Sequence, residues 1–288
     1  MKNVISILFI LILLLTNCLL YAMVLPILQS DDSLWFATRN GLYKYNKKQN
    51  EWSFFTSKSG LASDEIMDIG IDEGLIWVAT NGGISNSDIR FNDWRSFSDK
   101  LPSKNTRCVT FSRDYAWIGT DKGVSRFDKL LEEWKDYTLP PVNDIVITSE
   151  TVWIATSDGI FKLDIDYDKI TNIDVKLPSK NIIKAVSIGD YIWFITDSGI
   201  VRYEKKLNSW KNYGLSDGIA SYDINDIIID GNKIWLATSN GVSIYDSVSD
   251  LWSEGTVYYN LLPSKNIRSI AIDGDNIWFL TDKGTSLY

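Results

Sequence analysis

No histidine occurs anywhere in the 288 residues, which removes Ser–His and Cys–His nucleophile pairs and every His-based metal site in one step. Cysteine is almost as scarce. Cys18 and Cys108 are the only two, and loss of an N-terminal leader leaves Cys108 alone, so no intramolecular disulfide can staple the mature domain. With no histidine to activate it, Cys108, in the apolar-flanked stretch Arg107-Cys108-Val109-Thr110-Phe111, reads as a packed thiol and not as a nucleophile. Cations are outnumbered, 29 Lys and Arg against 37 Asp and Glu. That net charge of -8 argues against nucleic acid, whose phosphates need clustered Lys and Arg. Asp273-Gly274-Asp275 lacks the ligand spacing of an EF-hand loop, and neither a metal nor a cofactor is expected.

The N-terminus has one long apolar run. Residues 1–22, MKNVISILFILILLLTNCLLYA, carry a single Lys and then an apolar stretch from Val4 that only Thr16 and Asn17 interrupt. This is the profile of an export signal cleaved after Ala22, and its length also suits an uncleaved membrane anchor. Leu15-Thr16-Asn17-Cys18 faintly resembles a lipoprotein signal, with Asn17 out of place. The expected location is periplasmic or secreted, with residues 4–22 as the tether if they are retained.

What the chain has in abundance is tryptophan, twelve in all, and its placement is periodic. A W-x-x-T-x-x-G frame recurs at Trp35/Thr38/Gly41, Trp77/Thr80/Gly83, Trp117/Thr120/Gly123, Trp153/Thr156/Gly159, Trp193/Thr196/Gly199, Trp235/Thr238/Gly241 and Trp278/Thr281/Gly284. The other five, Trp52, Trp94, Trp134, Trp210 and Trp252, each follow a motif Trp by seventeen residues, with Ile170 in that place in the fourth unit. A period near forty residues points to a solenoid or a propeller, and the content of each period decides between them.

Every unit reads as strands. Ahead of the motif Trp lie apolar trios such as Ile66/Ile69/Ile71, Ile224/Ile227/Ile229 and Ile267/Ile270/Ile272, followed by turns such as Asp72-Glu73-Gly74. The W-x-x-T segment is a second strand, T-x-x-G a hairpin turn, and segments such as Leu42-Tyr43-Lys44-Tyr45 a third strand. A fourth carries the second Trp. Four short antiparallel strands per repeat compose a propeller blade, so the expected fold is all-β: a seven-bladed β-propeller over 23–288. Blade boundaries fall at 23–61, 62–101, 102–140, 141–178, 179–219, 220–262 and 263–288, which leaves the last blade incomplete with three strands. Val24 and Ile27, 11 and 8 residues before Trp35, supply the first strand of blade one, so the ring is expected to close by side-chain packing without a shared strand. Each Trp buried between sheets removes about 200 Å² from water, an upper bound of roughly 5 kcal/mol.

The seven copies of [LIAV]-W-[IVFL]-x-T-x-x-G resemble the two-component-regulator propeller repeat of bacteria, over almost the whole of 23–288. The Gly-His and Trp-Asp signatures of WD40 repeats and the double glycine of kelch repeats do not recur. The resemblance implies the exported, carbohydrate-sensing region of a hybrid histidine kinase. Here it implies the recognition module alone, with no kinase of its own, because the family's downstream parts do not fit in this chain.

One feature beyond the repeat stands out. LPSKN recurs at 101–105, 177–181 and 262–266, joining the last strand of one blade to the first of the next. Strand alternation puts these links on the same face as the T-x-x-G turns, gathering Arg39, Lys104, Lys122, Lys180, Lys265 and Lys283, while Asp31, Asp72, Asp190, Asp230 and Asp273 fall on the opposite face. The functional expectation is that the more basic face, at the mouth of a central channel, receives an oligosaccharide or other polar ligand, or an envelope protein partner. The bland expectation is that Pro-Ser-Lys-Asn makes a good solvated turn. Three functions follow in order: a binding module, an envelope interaction scaffold, and a carboxylate-dependent hydrolase or lyase.

Overall fold

The computed structural model describes residues 27–288 except 31, 150, 256, 257, 259–261, 274 and 275. The leader or anchor read from residues 1–22 lies outside the described residues, as does Asp31. Among the described residues no helix is long and apolar enough to cross a membrane. The chain is a seven-bladed β-propeller in which six sheets have four strands in simple sequential order and the last has three, Ile267–Asp273, Asn276–Thr281 and Gly284–Leu287. Two compact units divide it: residues 25–222 hold the first five sheets and residues 223–288 the last two. In blade one the first strand, Ile27–Gln29, pairs antiparallel with Ser33–Thr38, as the spacing before Trp35 predicts.

The recurring threonine has a physical reason. In blade four the Thr156 hydroxyl donates to the Gly159 carbonyl at 2.8 Å and accepts from the Asp158 N–H at 3.1 Å, which closes the hairpin turn from inside. Thr38, Thr80, Thr120, Thr196, Thr238 and Thr281 repeat the donation to their glycines at 2.6 to 2.9 Å. The glycine is demanded twice over. Gly123 has φ of 121°, which side-chain-bearing residues resist, and a Cβ there would stand 2.0 Å from the Tyr137 carbonyl oxygen.

The spacing of the apolar trios, three residues and then two, is explained by a β-bulge. In blade two Ile66 faces Thr80 but Asp68 already faces Ala79, so Met67 is the extra residue, and blades three to seven repeat the shift. The bulge turns both Ile66 and Ile69 inward, where they are buried.

The motif Trp is the interblade wedge. Trp77, Ala79 and Ile84 of blade two pack with Val109, Ile118 and Phe127 of blade three, and Trp153 packs with Ile182, Phe194 and Tyr203 of blade five. Twenty residues after the motif Trp an aromatic on the fourth strand, or just after it in blade two, adds a ring, as in Trp35–Phe55, Trp77–Phe97, Trp117–Tyr137 and Trp193–Tyr213, with centroids 5.5 to 6.3 Å apart. Trp35, Trp77, Trp117, Trp153, Trp193 and Trp235 are buried; Trp278, in the sheet without a fourth strand, is only partly so. The second tryptophans are drier on one side than the other. Trp94, Trp134 and Trp210 are half-buried, Trp252 is buried, and Trp52 is 44% exposed while stacking on Phe36 and Tyr45. Four of them lie on fourth strands and Trp94 immediately ahead of its own, so the interior burial expected of all twelve rings holds for six of the seven motif rings and in part for the second set.

Gly119 stands where four sister blades have Ala and two have a larger residue. A Cβ at this position would meet the Cys108 sulfur at 2.4 Å and Val142 at 2.7 Å. Gly119→Ala is therefore expected to cost about 1–3 kcal/mol of stability through overpacking, read from urea unfolding. Thr156→Val, which keeps shape but leaves the buried Gly159 carbonyl and Asp158 N–H without the hydroxyl, is expected to cost about 1–3 kcal/mol, and Thr156→Ser to cost clearly less in the same measurement.

Candidate functional site: the loop face and the first-strand row

The turns after the second strands and the links between blades lie at one end of the sheets, tied by backbone hydrogen bonds. The Asp121 N–H donates to the Asn105 carbonyl at 3.3 Å, Ser157 to Pro141 at 2.9 Å, and Asp282 to Asn266 at 3.2 Å. This brings Arg39, Lys104, Lys122 and Lys180 to one end of the blades in residues 25–222, and Lys265 and Lys283 to the corresponding end in residues 223–288. All six are exposed.

Most of LPSKN is structural. Leu101, Leu177 and Leu262 pack against interblade clusters. Ser103, Ser179 and Ser264 accept from the N–H of the Asn two residues on, at 3.1 to 3.3 Å. The side chains of Asn105, Asn181 and Asn266 donate to Asp121, Asp197 and Asp282 in the turn of the same blade, at 2.5 to 3.5 Å. Hydrogen bonds from Asn181 and two serines, Ser179 first among them, hold the Asp197 carboxyl below the usual range. The Lys is exposed in every link, as Pro178 and Pro263 are in two of them, and its surroundings are mixed in sign: Lys104 lies 3.5 Å from Asp99, and Lys180 lies 3.5 Å from Asp158. The aspartates of the T-x-x-G turns accompany the cations, so this face is polar and mixed rather than uniformly basic.

On the opposite end, Asp72 pairs with Lys129 at 2.6 Å and Asp190 with Lys206 at 2.7 Å, while Asp230 is exposed. Asp273 ends its first strand.

Two residues into each first strand, just below the loop face, lies a row that sequence reasoning passed over: Asp68, Cys108, Asp144 and Lys184 in residues 25–222, with Asp226 at the same register in residues 223–288. Each aspartate clasps the next blade. Asp68 accepts from its neighbour Ile69 N–H at 2.9 Å and from Val109 N–H of blade three at 2.9 Å. Asp144 does the same with Ile145 at 2.9 Å and Ala185 of blade five at 3.0 Å, and Asp226 with Ile227 at 2.9 Å and the Ser269 hydroxyl at 2.7 Å. A signal was present in the sequence: alanine stands opposite each of these aspartates, at Ala79, Ala155 and Ala237, because the small side chain leaves room for the carboxylate.

Electrostatics in this row follow from enclosure. Asp68 keeps some solvent contact but is surrounded by protein, and desolvation pushes its carboxyl up to about 7 against two backbone hydrogen bonds, with the Asp144 charge adding to the rise. Burial likewise raises Asp144, opposed by the Ala185 N–H and the Lys184 charge, and it pushes the Cys108 thiol well above its ordinary value, with Asp144 and Asp68 adding to the effect. A thiol so placed stays protonated and packed. Because native Asp68 holds its proton until about pH 7, whereas an unfolded aspartate releases it near about pH 4, the native state loses stability as pH rises through that interval. Asp68→Asn keeps an acceptor oxygen for one of the two N–H groups, loses the other acceptor at a constant cost across pH, and has no charge to bury. Its melting temperature is expected to gain on the wild type as pH goes from about 5 to about 8, and a constant difference across that range would contradict the assignment.

No protein-family profile matches the chain, and no curated protein matches it. Among solved structures it is similar to the extracellular domain of a candidate hybrid two-component system from B. thetaiotaomicron, at 19% identity and a TM-score of 0.69, over 92% of this chain and 39% of that one. The extracellular domain of a candidate one-component system from the same organism aligns at 19% identity and a TM-score of 0.70, over 93% and 39%. Virginiamycin B lyase from Staphylococcus aureus aligns at 16% identity and a TM-score of 0.67, over 91% and 93%. This chain therefore spans 39% of the length of each of the first two. The likeness is one of fold, and it is the fold that the repeat resemblance implied: a seven-bladed propeller of the kind carried by extracellular domains of two-component systems.

Proposed function

We propose that this chain is an exported recognition propeller that binds a polar ligand of oligosaccharide type on its loop face and does not transform it. The observation that carries the reading is the division of roles in the three LPSKN links, where Leu, Ser and Asn are engaged in packing and turn hydrogen bonds and Lys is held out to solvent. Arg39 and Lys122 project from turns at the same end of the blades as Lys104 and Lys180, and Lys283 from the turn at the same end as Lys265. Mixed cations, aspartates and amides suit a polyhydroxylated ligand, which needs donors and acceptors in alternation and little net charge. The fold likeness to extracellular domains supports a periplasmic or secreted location.

The test is a glycan array probed with the wild type and with a Lys104→Ser, Lys180→Ser, Lys265→Ser triple variant. Glycans bound by the wild type are expected to be lost or weakened about tenfold in the variant at unchanged melting temperature, since exposed loop cations carry little stability. Equal binding by both proteins would remove this face as the site. Capture of an envelope protein with no glycan bound would favour the scaffold alternative, and product release from a pooled polysaccharide digest would favour the hydrolase or lyase.

A further inference from the structure

Blade two breaks the repeat at three adjacent points. Beside the motif Trp on the third strand, four sister blades place a cation over the indole: Lys44 4.8 Å from the Trp35 centroid, Arg126 5.9 Å from Trp117, Lys162 5.7 Å from Trp153 and Arg202 5.6 Å from Trp193. Blade two has Asn86 opposite Trp77. The next residue is large in all six sister blades, Tyr45, Phe127, Leu163, Tyr203, Tyr245 and Tyr288, and in blade two it is Ser87. The fourth strand is only Arg95–Ser96.

What these omissions leave is a groove of about 1070 Å³ between blades two and three, whose carboxylates lie at the end of the sheets opposite the loop face. Trp77, Phe97, Phe127 and Trp134 form its apolar lining, and Phe91, 71% exposed, stands at its edge. Six carboxylates line it, Asp72, Glu73, Asp88, Asp93, Glu132 and Glu133, against three cations, Arg95, Lys100 and Lys129; Lys129 is bound to Asp72 at 2.6 Å and Arg90 to Asp88 at 2.6 Å, which leaves Glu73, Asp93, Glu132 and Glu133 as the acidic rim. Asn86 is only 8% exposed, lines the groove, and its amide finds no hydrogen-bond partner among the described residues. That amide opens onto the groove, where a ligand could supply it with a donor or an acceptor. Leu130 and Leu131, both exposed, continue the apolar edge on the turn that carries Glu132.

We infer that the groove between blades two and three is a docking site for a basic polypeptide segment, whose Lys or Arg head enters beside Asn86 and Trp77 and takes the position that the blade's own cation holds in blades one, three, four and five. The carboxylate rim supplies the complementary charge, and Phe91, Leu130 and Leu131 take the apolar residues that flank the inserted cation. The carboxylate rim lies on the other end of the blades from the proposed ligand face, and the inference does not depend on that reading.

The experiment uses the full chain and two fluorescent peptides in anisotropy titrations, one of alternating arginine and leucine and one with glutamate in place of arginine. The basic peptide is expected to bind, more weakly as salt rises, and the acidic one not to bind. Asn86→Lys with Ser87→Tyr restores the side chains of the sister blades and fills the groove, and it is expected to weaken the basic peptide about tenfold or more. A Glu132→Gln, Glu133→Gln, Asp93→Asn variant, which changes only exposed charges, is expected to weaken it about tenfold and flatten the salt dependence. Equal binding of the two peptides, or binding unaltered by the charge variant, overturns the assignment, whether or not the filled variant folds.

Discussion

A four-stranded antiparallel sheet with six-residue strands has two apolar faces and nothing of its own to cover them. Each sheet here must therefore borrow its neighbour, and the indole of the motif Trp is the group that makes the loan work: it projects from the second strand into the space between sheets, where Trp77 meets Phe127 and Trp153 meets Phe194 and Tyr203. A ring of that size fixes the sheet-to-sheet distance as well as filling it. Everything else in the repeat keeps the indole at the right height, and the threonine hydroxyl does so most directly by closing the turn three residues beyond it.

The first strands hold neighbouring sheets together in another way. A bulge rotates the strand after its first residue, so that an apolar side chain points into the core on either side of it and the residue between faces the next blade. When that residue is aspartate, its carboxylate spans the gap and accepts a backbone N–H from the neighbouring first strand. Desolvation makes the negative charge costly in the same place. The enclosed carboxyls of Asp68 and Asp144 are thus pulled between a hydrogen-bonding role and an electrostatic penalty, and the Lys184 charge reduces that penalty for Asp144 and for Asp68.

Periodic departures carry as much information as the period. Gly119 replaces the usual larger residue because Cys108 and Val142 occupy its Cβ position. Trp278, in the sheet of three strands, is less buried than its counterparts. Asn86 and Ser87 open a groove where sister blades are filled. In each case a local change of side-chain volume is answered by a neighbour or left as space.

The number of blades, their strand order, the three-stranded last sheet and the placing of turns and links were all legible in the spacing of Trp, Thr and Gly. That is because antiparallel hairpins are local, and their residues are specified within a few positions of each other along the chain. The exposed cations of the loop face were legible for the same reason, and so was the sharing of one end of the blades by turns and links. The aspartates that accompany those cations, the clasp of Asp68 on Val109, the raised carboxyls, and the groove between blades two and three were decided only by the tertiary structure. They depend on groups about forty residues apart being pressed together across the gap between sheets, and neither a distance across that gap nor the water excluded from it is written in the spacing of any single repeat.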